Sequence, residues 1–115
     1  MPLFITQGRF TTEAVRGMMS SPENRERAVQ DLIAQSGGTL LSYYMTFGEY
    51  DFLIVSEGPI EGMATSVIVA AAGGAVTDMR TSLALTASEM EGSFARAGAL
   101  AASYKPAGAQ TGSVL

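Results

Sequence analysis

Two apolar runs, Leu40 to Phe47 and Phe52 to Val55, flank the short segment Gly48-Glu49-Tyr50-Asp51. That pattern predicts a second strand over 39–47 and a third over 50–57, joined by a tight turn. Gly48 supplies positive φ, and Asp51 or Glu49 accepts turn amide hydrogens. A hairpin in mid-chain commits the fold to an antiparallel sheet, and the flanking segments must cover it.

Upstream, Leu3 to Phe10 reads as a first strand, with Leu3 and Ile5 on one parity and Phe4 and Phe10 on the other. Thr11 or Thr12 can cap a short helix. A longer helix is predicted from near residue 22, either through the capping-box spacing of Ser20 and Glu23 or through Ser21 followed by Pro22. Val29, Leu32 and Ile33 fall at helical spacing, and Gly37-Gly38 end that helix. Strict alternation in the second strand puts Leu41, Tyr43, Met45 and Phe47 on one face, and Leu40, Ser42, Tyr44 and Thr46 on the other.

Downstream, Gly58-Pro59 close the third strand and open another helix. Its predicted buried face is Ile60, Met63, Ala64, Val67, Ile68 and Ala71, and Gly73-Gly74 end it. A fourth strand follows over 76–85. Thr86 to Glu89, or Ser88 to Glu91, has capping-box spacing ahead of a C-terminal helix carrying Met90, Phe94 and Ala97. Residues 1–103 are expected to form one domain, and the Gly-, Ala- and Ser-rich stretch 104–115 a flexible tail.

The order βαββαβ plus one helix is the ferredoxin-like, split βαβ arrangement of an α+β protein, with a four-stranded antiparallel sheet. Helices cover one face of such a sheet only. The other face here carries large apolar residues, so the expected partner is a second copy, with a two-fold dimer as the default.

Composition narrows the chemistry. The 115 residues include neither cysteine nor histidine. That removes disulfides, thiolate zinc sites, thiol nucleophiles and the usual general base, so no metal, no cofactor and no catalytic constellation is expected. The balance is acidic, with Lys+Arg 7 against Asp+Glu 11, and the basic residues are scattered. A nucleic-acid-binding stripe is not expected. The longest apolar tract, residues 67–76, is too short to cross a bilayer, and a cytoplasmic location is expected.

Among polar side chains, Tyr50 and Asp51 are candidates for contact with a ligand at a subunit junction. Asp78 and Arg80 are two apart on the fourth strand, Arg9 can point the same way from the first, and Tyr44 or Tyr43 can complete a polar pocket. There Arg80 would hold a carboxylate by a two-pronged hydrogen bond. The alternative for the charged residues is a salt bridge between Arg80 and Asp78 or a partner's acid. The candidate ligand-binding set is therefore Tyr44, Tyr50, Asp51, Arg80 and Arg9.

In Thr46-Phe47-Gly48-Glu49-Tyr50-Asp51, with the Ser-Pro helix start, Gly37-Gly38 and Met79-Arg80-Thr81, the chain resembles the GYD family of small bacterial proteins over about residues 2 to 95. The resemblance implies a dimeric α+β barrel and a largely uncharacterised function. The same hairpin is similar to that of the amino-acid-sensing domains of Lrp/AsnC-type regulators, which bind effectors between subunits. A helix-turn-helix ahead of the first strand is not expected, so stand-alone sensing is what that second likeness implies. The leading expectation is a non-enzymatic homo-oligomer binding a small anionic or zwitterionic metabolite between subunits. One alternative is a cofactor-independent, monooxygenase-like or isomerase enzyme using Tyr43, Tyr44 or Tyr50 with Asp51 or Arg80 in a barrel cavity; another is a structural assembly subunit.

Overall fold

The computed structural model describes residues 1–109. It contains two compact units that meet in sequence after Ala84. The first comprises β1 (Leu3–Phe10), α1 (Thr12–Ser20), α2 (Arg25–Gln35), β2 (Thr39–Met45), β3 (Phe52–Glu57), α3 (Ile60–Ala72) and β4 (Val76–Ala84). The strands lie in the order β2-β3-β1-β4, and every neighbouring pair is antiparallel. This is the expected ferredoxin-like α+β sheet. The second unit holds α4 (Ala87–Leu100) and a 3-10 turn, Ala101–Ser103. Thr86 caps α4 through the predicted reciprocal capping box with Glu89. Half of the expected tail, residues 110–115, lies outside the described residues.

The core sits on the helix-covered face of the sheet. Phe4 and Thr6 from β1 and Phe52, Ile54 and Ser56 from β3 are buried there with Ile33 of α2. The two central strands alternate buried and half-buried residues along their lengths, as strands covered on one face do. Phe10, Val29, Leu40, Tyr43, Val76 and Met79 pack around the cluster. Burying one such side chain contributes about 1.5–3 kcal/mol. Few side chains are fully buried, and a second layer of packing would stabilise the sheet's other face.

Two strands depart from strict alternation. In β2 the pairing with β3 passes from Leu40↔Ser56 to Ser42↔Val55, so Leu41 is an extra residue in a bulge. The bulge puts Leu40, Tyr43 and Met45 on the helix-side parity and Ser42 and Tyr44 on the open face, which corrects the faces predicted from simple alternation. In β4 a second bulge falls at Asp78, a non-glycine residue with φ of 52°. Val76, Met79 and Thr81 thus share the helix side, while Thr77, Arg80 and Ser82 face the open side.

The helices bring further corrections. α2 begins at Arg25, not near residue 22, because the Asn24 side chain accepts the Glu26 amide hydrogen at 3.0 Å and is itself the N-cap. α3 is rotated from its predicted face. Gly62, Met63, Ser66 and Val67 turn inward, while Ile60 and Ile68 are exposed. The cause is a close crossing with the C-terminal end of α2. A Cβ built on Gly62 would lie 2.2 Å from the Ser36 carbonyl oxygen, and the Ser66 hydroxyl donates to Ser36 Oγ at 3.0 Å. Only the hydrogen of glycine fits at that approach.

Candidate functional site

The segment joining β2 and β3 is longer than a tight hairpin, since the strands end at Met45 and restart at Phe52. Thr46 closes it twice: its amide donates to the Asp51 carbonyl at 2.8 Å and its hydroxyl to the Tyr50 carbonyl at 2.7 Å. Gly48 has the positive φ expected of it, 157°. The loop is fastened to β1 by Asp51. Its amide donates to the Gly8 carbonyl at 2.8 Å, and its carboxylate Oδ2 accepts the Phe10 amide hydrogen at 2.9 Å. Asp51 therefore carries the β1–β3 ladder past its last strand pair.

Arg9 completes this fastening from the open face. Its Nε donates to the Glu49 carbonyl at 2.7 Å, its Nη1 to Asp78 Oδ2 at 3.2 Å, and its guanidinium carbon lies 5.5 Å from the centroid of the Tyr50 ring. One side chain thus joins the loop, β1 and the β4 bulge. Asp78 is paired with Arg9, not with Arg80. Arg9, Tyr50 and Asp51 are brought together, and most of their bonding is to one another or to backbone.

The other two members of the candidate set lie elsewhere. Registers of the three strand pairs put Tyr44 opposite Leu53, Leu53 opposite Gln7, and Gln7 opposite Arg80. Tyr44 and Arg80 are thus the two ends of one row that crosses the whole open face. Among the described residues Arg80 has no hydrogen-bond or ion-pair partner. The next row is Ser42, Val55, Ile5 and Ser82, so an apolar centre is bounded by polar edges. Phe47 at the loop tip is fully exposed, as are, by about half, Leu41 in the β2 bulge and Met45 on the helix side of that strand.

Sequence reasoning missed a third feature, a cavity of about 360 Å³ between the sheet and helices α2 and α3. The crossing at Ser36, Gly62 and Ser66 pins these helices at one end. Arg25 and Val29 from the start of α2, and Ala70 and Gly73 from the end of α3, line the cavity at the other. The two helices therefore splay from a pinned point, and the gap between them opens onto Phe10, Phe52 and Tyr43. None of the five candidate residues borders it; Tyr43 does. Burial pushes the Tyr43 phenol above its ordinary pKa, with nearby Arg25 opposing that and Glu26 adding to it. Gly62 and Ser66 inside an apolar helix were the only sequence signal for this opening.

No group of three or more His, Cys, Asp or Glu side chains that could hold a metal ion occurs among the described residues. Nor is any helix among them long and apolar enough to cross a membrane. The sequence model for the GYD domain matches residues 4–93. The chain belongs to the GYD domain family. The match spans β1 through the first half of α4, so the loop that fastens β3 to β1 is a feature of this GYD domain's central sheet. No curated protein matches the chain. Solved structures similar to this GYD domain include FFRP-DM1, 15% identical, covering 74% of this chain and 100% of that one with a TM-score of 0.49. TTHA0845 from Thermus thermophilus is 19% identical, covering 76% and 96%, with a TM-score of 0.48. The hypothetical protein PHS023 from Pyrococcus horikoshii is 13% identical, covering 75% and 92%, with a TM-score of 0.45.

Proposed function

We propose that this GYD domain is a self-associating binding protein in which a second copy closes the open sheet face and a small anionic or zwitterionic metabolite is held at the rim between subunits. The observation that carries this reading is the row from Tyr44 through Leu53 and Gln7 to Arg80. A two-fold axis parallel to the strands sets Arg80 of one protomer over Tyr44 of the partner subunit, and the apolar centres over each other. Such an interface is self-complementary, as a closed dimer requires. Phe47, fully exposed at the loop tip, is an aromatic anchor of the kind interfaces use. Arg80, with no internal partner, is free to bind a carboxylate through two parallel N–H donors.

A chain without cysteine makes the assembly directly testable with single engineered thiols. Val55→Cys lies at the centre of the open face and Thr65→Cys on the exposed side of α3. At concentrations that favour assembly, the thiol at 55 reacts slowly and gains reactivity on dilution, while that at 65 reacts quickly throughout. Equal concentration dependence at both positions contradicts the closure. For the ligand, amino and organic acids are screened by thermal shift, since binding to the folded state raises its melting temperature. The absence of any hit whose effect is lost in Arg80→Gln contradicts the rim site.

A further inference from the structure

The cavity between α2, α3 and the sheet is separate from the open face, and we propose that it is a second binding site, taking an amphipathic carboxylic acid. The apolar body fills the cavity, and the carboxylate meets the Tyr43 hydroxyl and the Arg25 guanidinium. Size supports a sizeable apolar body: a dry cavity of about 150 Å³ holds benzene, and this one, at about 360 Å³, is more than twice that. It falls within the range of small-molecule pockets, about 300–1,000 Å³. Its walls are mainly apolar, with Phe10, Val29, Phe52 and Met79 among them.

The polar groups on the wall identify the head group. Thr6 is already bonded to Thr81 at 3.1 Å and Ser66 to Ser36 at 3.0 Å, so neither needs a ligand. The Tyr43 hydroxyl has only the Met45 sulfur at 3.4 Å, a weak acceptor. Its hydrogen is available to a better one. Among the described residues, Arg25 is the one charged residue lining the cavity. It contacts Glu23 at 2.9 Å in a pair whose side chains are 32% and 53% exposed. Exposed pairs of this kind hold weakly, and a guanidinium has five donors, so Arg25 can take a carboxylate without a large penalty. An apolar body with an anionic oxygen head satisfies both groups at once.

The opening also has a structural cause independent of any ligand. The Gly62–Ser36 crossing fixes the angle between the helices, and the side chains that would fill the gap at the far end are Ala28 and Ala70. Small residues at the wide end of a splayed pair leave space that the protein does not fill itself.

The test uses the full chain, with decanoate and decanol as probes in titration calorimetry. Decanoate binds with one molecule per chain. Arg25→Gln weakens decanoate by about tenfold, the loss expected for a hydrogen bond to a charged group, and leaves decanol unchanged. Tyr43→Phe weakens both. Val67→Trp fills the cavity and abolishes binding, and Ala70→Leu, a smaller filling change, weakens it if the tryptophan variant does not fold. Arg80→Gln leaves decanoate unchanged, which separates this site from the rim between subunits. Decanoate binding that is indifferent to the cavity-filling variants overturns the site. Equal effects of Arg25→Gln on acid and alcohol, or no binding of either probe, overturn the proposal as well.

Discussion

The Phe10 amide donates to the Asp51 carboxylate at 2.9 Å, and through this bond the loop between β2 and β3 holds the far end of β1. With the Asp51 amide bonded to Gly8, one residue anchors both sides of the Arg9 position. Asp51→Ala leaves the Phe10 amide, part-buried, without its acceptor. Hydrogen bonds to charged groups contribute about 1.5–3 kcal/mol, so a loss near the lower end of that range is expected at this half-buried site. Chemical denaturation measures it. Asp51→Asn retains an acceptor oxygen and loses less; equal losses for the two variants would mean that the negative charge, not the acceptor oxygen, carries the stabilisation.

Gly62 sets the distance between α2 and α3. Gly62→Ala places a methyl group 2.2 Å from the Ser36 carbonyl oxygen, and backbone on both sides must move. Overpacking of this kind costs about 1–3 kcal/mol, and here the gain in helix propensity, about 1 kcal/mol, does not offset it. A net loss of stability is expected on thermal or chemical unfolding. Gly98→Ala in α4, where an added Cβ meets nothing within 4 Å, serves as the control and is expected to stabilise its helix.

Ser56 is fully buried on β3 and its hydroxyl has no hydrogen-bond partner among the described residues. A buried, unpaired hydroxyl costs about 1–3 kcal/mol. Ser56→Ala is therefore expected to raise stability by about 1 kcal/mol, read as a higher melting temperature. A loss of similar size would show that the hydroxyl has a partner, such as a bound water.

Tyr43 gives the fold an alkaline dependence. Its pKa is raised in the folded state by burial, so the neutral phenol is the form the fold favours. The unfolded chain loses this proton first, near its ordinary value of about 10. The stabilisation is fully present below that value and is lost as pH rises through the higher folded value. Ultraviolet titration of the phenolates should show a late-ionising phase, and Tyr43→Phe should remove it. The variant's stability should also fall less steeply above about pH 10.

The sequence carried the fold because its punctuation is local. Gly37-Gly38 and Gly73-Gly74 end helices, Thr86 with Glu89 starts one, and the parity of Leu3 and Ile5 against Phe4 and Phe10 separates the two faces of β1. What alternation could not show were the bulges at Leu41 and Asp78, because a bulge depends on the partner strand. The face of α3 was misread for a related reason. Ile60, Ala64, Ile68 and Ala71 have better periodicity than Gly62 and Ser66, yet a steric approach to Ser36 chooses between faces, and apolarity does not measure approach. Of the candidate residues, Arg9, Tyr50 and Asp51 do meet, as a fastening around β1, and Tyr44 and Arg80 share a row. Spacing alone could not distinguish those two arrangements, and the cavity needed both helices in place.

Closure of the open sheet face by a second copy, as proposed above, doubles the mass of the protein in solution. Sedimentation equilibrium of the full chain should give twice the 12.0 kDa of one chain, and Val55→Arg, which buries a charge at the centre of that face, should return a single-chain mass with its circular dichroism unchanged. A wild-type protein that stays at the single-chain mass at every concentration, or a Val55→Arg variant that assembles as the wild type does, would contradict it.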